Sequence, residues 1–173
     1  MSGTHHSPDR AGNAAERRAH ADYTGGVYGS MLAASVVVGA GTLGSFPRVE
    51  LVVLLLLTGV VFWIAHVYAQ LFGARLAQQR LDRRVIRHVC RDEWPIVKAA
   101  VPPAAAVAVS PLLGLDEQGA VWLSLGVAVA GQVGWSVAAA LRTGASTRLV
   151  AGAALVNLVI GMLIVTFKLV VTH

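Results

Sequence analysis

Residues 51–74 read LVVLLLLTGVVFWIAHVYAQLFGA, 24 positions without one Asp, Glu, Lys or Arg. At 1.5 Å per residue a helix of that length reaches about 36 Å, enough to cross the roughly 30 Å hydrocarbon core of a bilayer. The apolar run is continuous rather than alternating, which favours a helix over the period-two strands of a membrane barrel. Three further windows, 27–47, 118–141 and 149–167, also lack charge, and a shorter one, 99–115, is interrupted by prolines. Together they predict an all-α polytopic bundle of about five transmembrane helices, at about 27–46, 49–73, 95–115, 119–141 and 148–171.

Composition points the same way. Of 173 residues, 55 % are apolar and 13 % charged, about half the charge of an ordinary soluble domain. That balance excludes a disordered chain, a disulfide scaffold and a free nucleic-acid-binding domain. Residues 1–22 differ: they mix Ala, His and both signs of charge without apolar periodicity, and read as a disordered cytoplasmic tail, with 23–173 forming the bundle. The tail lacks the apolar core of a signal peptide, so no cleaved leader is expected. His5 and His6 lack partners at fixed spacing, so no metal is expected there.

The basic residues are sorted. Arg10, Arg17 and Arg18 precede the first span, six arginines lie at 75–91, and Arg142 and Arg148 flank the fourth loop. The other side of a five-span arrangement holds Arg48 and Lys168, while Lys98 sits just inside the third span. The bias places the N-terminus in the cytoplasm of a cell membrane. Cys90 then faces a reducing compartment, and no disulfide is expected. Twelve Arg against two Lys, with abundant Ala, Val and Gly, suit a GC-rich bacterial genome.

The second helix is expected to continue beyond the membrane as a basic amphipathic cytoplasmic segment at 75–91. Arg80, Arg84, Arg87 and Arg91 share one face and Leu81, Val85 and Val89 another. Such a segment suits a bilayer surface with its arginines on anionic headgroups, or serves as an ordinary positive-inside anchor. No aromatics interleave with the arginines, which argues against nucleic acid.

Polar residues at membrane depth are costly and therefore functional candidates. His66 lies about 7 Å from the midplane of the second helix. It shares a face with Gly59, Phe62, Ala69 and Gly73, and could relay protons or simply bond a neighbouring helix. Tyr68 suits an interfacial anchor. Gln132 and Asn157 are the amides at depth. Gly126, Ala130, Gly134 and Ala138 repeat every fourth residue, as do Ala153, Asn157 and Gly161, stripes that permit close helix contact within one chain or between protomers of a homo-oligomer. In the third helix Asp92 or Glu93 is expected as cap, Pro95 suits the first turn, and Pro102-Pro103 should kink or break the helix.

No catalytic constellation, metal-ligand pair or cofactor motif emerges, so an enzyme is not expected. Gly39, Gly41 and Gly44 match G-x-G-x-x-G, but inside an apolar span with no preceding strand. The run Phe62-Trp63-x-Ala65-His66-x-Tyr68-Ala69, with the Arg-rich continuation and the start Glu93-Trp94-Pro95, resembles small multi-pass membrane proteins of actinobacteria. The resemblance implies membrane class and bacterial origin, with no established activity and no site residues.

Two functions compete: a non-enzymatic membrane subunit or scaffold, and an oligomeric ion or proton channel or transporter using His66 and the proline-bearing third helix. The charge pattern yields a direct expectation. In intact cells an impermeant maleimide should leave Cys90 unlabelled and should reach it after permeabilisation. Labelling from outside would invert the topology.

Overall fold

The computed structural model describes the backbone of residues 9–42, 47–78 and 81–171, and the side chains of 23–41, 47–78 and 81–170. Within these limits every element is helical: α1 (Asp9–Thr42), α2 (Arg48–Leu76), α3 (Arg83–Asp92), α4 (Pro95–Val109) with a 3₁₀ turn (Ser110–Leu113), α5 (Glu117–Arg142) and α6 (Thr147–Val171). Five stretches are long and apolar enough to span a bilayer: Tyr23–Gly41, Arg48–Leu76, Arg83–Leu113, Glu117–Arg142 and Thr147–Val170.

Helices α1, α4 and α5 form the core triangle, α2 closes the α1/α4 side, and α6 packs on α5 and the edge of α1. Small residues set the spacing. A Cβ at Gly29 would lie 2.8 Å from the Ile96 carbonyl oxygen and from the Ala99 Cβ, so α1 and α4 meet almost backbone to backbone. Gly25 seats Pro95, Gly59 of α2 seats Ala100, and Gly131 of α5 faces Ser30. The core between them is built from Ala34, Val37, Leu51, Leu55, Val107 and Leu125, each at most 1 % exposed.

The helix ends explain the loops. Gly114 and Gly144 take left-handed φ values of 68° and 66°. In each case the glycine N–H and the next N–H reach back to carbonyls of the final turn: Gly144 to Leu141, Ala145 to Ala140, Gly114 to Pro111 and Leu115 to Ser110. This paired closure satisfies carbonyls that would otherwise be orphaned and turns the chain within a few residues. At the other end of α5, the Asp116 carboxylate accepts the Gly119 N–H at 2.7 Å.

Several expectations need correction. The tail is not irregular over all of 1–22: α1 begins at Asp9, because five alanines at 11–21 favour helix without any apolar stripe. The basic segment 75–91 does not continue α2. That helix stops at Leu76, Gln78 turns with a φ of 60°, and Asp82 caps a separate α3 by accepting the Arg83 N–H. Neither Asp92 nor Glu93 caps α4. Trp94 stands at that position without a side-chain cap bond, while Asp92 pairs with His88 one turn back and Glu93 accepts from Gln70.

The prolines do not break α4, which runs unbroken through Pro102 and Pro103. Both lack an N–H, so the carbonyls of Lys98 and Ala99 lose their helical donors. Close packing on both sides, at Gly29 and Gly59, holds the turn in place. The stripe Gly126, Ala130 and Gly134 lies on the exposed face of α5, and a Cβ at Gly126 or Gly134 would meet nothing within 4 Å. The α6 stripe packs inward, Gly161 against Val129.

A paired substitution tests this account. Gly29→Ala should destabilise the bundle by about 1–3 kcal/mol through overpacking against α4. Gly39→Ala, where a Cβ meets nothing within 4 Å, should be neutral or gain up to about 1 kcal/mol in helix propensity. Denaturation in mixed micelles, followed by circular dichroism, reads both.

Candidate functional site

The four candidate polar residues do not converge. His66, half-buried on the seam between α1 and α2, places Nδ1 3.0 Å from the Phe62 carbonyl oxygen one turn earlier. A carbonyl only accepts, so Nδ1 carries the hydrogen and Nε2 is left as the acceptor when the ring is neutral. The ring packs against Tyr28, centroids 5.0 Å apart, and Tyr28 also meets Phe62 edge-on. Of the face expected around His66, Gly59 and Phe62 turn inward, while Ala69 and Gly73 are exposed. Tyr68 points away from the bundle, 67 % exposed, its ring stacked on Phe72. An outward-facing ring is what the interfacial anchor expected at Tyr68 requires.

Gln132 and Asn157 do meet, at the α5/α6 seam. Gln132 is fully buried, and its Nε2 donates to the Asn157 main-chain oxygen at 3.0 Å and to Oδ1 at 3.3 Å. Asn157 Nδ2 donates to the Ala153 carbonyl at 3.0 Å. Gln132 Oε1 has no hydrogen-bond partner among the described residues. The pair fastens two helices and leaves one acceptor over.

Lysine 168 is the polar residue that sequence reading undervalued. The charge count sorts it only to the side of Arg48. Its side chain is 1 % exposed, with Nζ 4.3 Å from the centroid of the Trp122 ring and next to Gly41 of α1. The signal was available: 157, 161, 164 and 168 follow the inward spacing of α6. At the same end Arg48 donates to the Leu115 carbonyl at 2.7 Å, tying the start of α2 to the loop before α5.

The basic surface is built on α3. Arg84, Arg87 and Arg91 are exposed, and with Arg83, His88 and Asp92 they line a shallow cleft of about 420 Å³. Arg80, expected on the same face, lies outside the described residues. Val85, Val89 and Cys90 are half-buried on the opposite side, against α2 and α1. Trp63 fixes this helix: its indole N–H donates to the Cys90 carbonyl at 2.9 Å, and its ring meets Trp94 edge-on at 5.5 Å.

No cluster of three or more metal-ligating side chains occurs among the described residues. The His66, Gln132/Asn157 and α3 groups occupy three separate seams or surfaces. The cavity between α1, α2 and α4, beside Gly59, has a volume of only about 10 Å³.

The Gln132–Asn157 contact is open to a double-mutant cycle. Gln132→Leu and Asn157→Leu should couple by about 0.6–1.7 kcal/mol, the range of interhelical hydrogen bonds in bilayers. A coupling indistinguishable from zero in micellar unfolding would leave the pair without a fastening role.

Compared with known proteins, the chain matches no protein family, no curated protein and no solved structure.

Proposed function

We propose that this chain is a non-enzymatic integral membrane subunit or scaffold of a bacterial cell membrane, with its N-terminus and α3 in the cytoplasm. The observation that carries the reading is the separation of its polar groups. His66 lies between α1 and α2, Gln132 with Asn157 between α5 and α6, and Lys168 at the opposite end from α3. A relay needs such groups in hydrogen-bonding sequence, and each of these is engaged locally instead.

Packing supports the same conclusion. Alanines and glycines draw α1, α4 and α5 together, leaving about 10 Å³ where α2 meets them, room for about one probe sphere rather than a file of water. The exposed stripe Gly126, Ala130 and Gly134 gives another transmembrane helix, from a second copy or a different subunit, a surface for close approach. Arginines concentrated at one end suit the positive-inside rule and anionic headgroups.

Reconstitution separates this reading from transport. Proteoliposomes holding the wild-type chain should show proton and monovalent-ion flux equal to that of empty liposomes. Flux above that background, lost in His66→Ala, would establish the channel reading and overturn the scaffold.

A further inference from the structure

At the end of the bundle that carries Arg142, α6 stands away from α1. The two helices meet at the other end, where Lys168 reaches Gly41, and diverge into a groove of about 550 Å³. Its walls include Tyr23, Val27 and Met31 of α1, Ala140 of α5, and Leu149 and Ala153 of α6. The wall is overwhelmingly apolar. Along α1 from Tyr23 to Met31 the groove extends about 12 Å, most of the depth of one bilayer leaflet.

The mouth is basic. The Arg142 guanidinium lies over the Tyr23 ring at 5.6 Å, Tyr23 being part of the wall itself. Arg148 immediately precedes Leu149, and the connection 142–148 reads RTGASTR, two arginines and no acid. Among the described residues no carboxylate pairs with either arginine. The loop is held by the left-handed Gly144 and two backbone bonds, so the arginines flank a defined turn, Arg142 ending α5 and Arg148 in the first turn of α6.

Shape and charge together select the occupant. An acyl chain suits an apolar slot of this length, and cations at its end suit a chain bearing an anionic head. We infer that the α1/α5/α6 groove is a binding site for one anionic glycerophospholipid. One acyl chain lies along Val27, Met31 and Ala153, and the phosphate lies at Arg142 and Arg148. This site is distinct from the α3 arginines, and it holds whichever way the chain is inserted.

Native mass spectrometry of the full chain released from micelles tests it, using dioleoyl phosphatidylglycerol and dioleoyl phosphatidylcholine as probes of equal chain length. The wild type should retain one phosphatidylglycerol about tenfold more tightly than phosphatidylcholine. Arg142→Gln with Arg148→Gln should abolish that preference. Ala153→Phe, which fills the groove and leaves the arginines, should weaken retention of both lipids. Circular dichroism melting of each variant establishes that the fold is retained. Equal retention of the two lipids by the wild type would overturn the site. So would unchanged retention in Ala153→Phe with a native melt, or loss of retention only when Arg84, Arg87 and Arg91 are replaced by Gln. A protein dimer free of lipid would assign the groove to a second copy.

Discussion

Helices in hydrocarbon gain little from burying apolar side chains against one another, because lipid is as apolar as leucine. Cohesion must come from how near the backbones approach and how many atoms then touch. Here that distance is set where α1 crosses α4: Gly25 and Gly29 admit Pro95 and Ile96 with no side chain between. The same helix admits the Trp135 indole at Gly26 on its other flank. Thus α1 acts as the axis on which α4 and α5 are mounted, and α2 and α6 occupy what remains. Only 6 % of the α6 window is buried, against 50 % for α1, which shows how unequal those shares are.

Polar groups complete what packing begins. Ser30 donates to the Gly26 carbonyl and Ser136 to Val133, each within its own helix, and Ser110 of the 3₁₀ turn donates back to Val107 of α4. Ser124 reaches across to the Pro103 carbonyl at 3.1 Å. These hydroxyls let small residues replace larger ones without exposing a donor to hydrocarbon. Tryptophans serve differently: Trp63 binds a carbonyl of the surface helix, Trp122 shelters a lysine, and Trp135 fills the space that Gly26 leaves.

The spans were legible because absence of charge over 20 residues is a one-dimensional signal that needs no knowledge of neighbours. Which face of each span turns inward was not. In a soluble helix hydropathy marks the core, but in a bilayer both faces are apolar. The stripe Gly126, Ala130 and Gly134 therefore left contacts within the chain and between protomers open, while α5 turns Ala120, Ser124, Ala128 and Gln132 inward. Arginine spacing on α3 was readable from the helical wheel, and its detachment from α2 was not, since Gln78 carries no sign of a left-handed turn. The Gln132–Asn157 meeting was half legible: two amides at depth invite pairing, but only the antiparallel placement of α5 and α6 brings them level.

The seat of Lys168 bears on how the chain is assembled. Gly41 and Trp122 lie on the first and fourth of the five spans. The Lys168 side chain of the fifth span sits between them, close to the C-terminal end of α1, where a helix dipole favours positive charge. The last span thus latches onto the first. A bundle that has acquired this latch has fixed the insertion of α6 as well as its position, since an inverted α6 would leave Lys168 at the far end with the arginines.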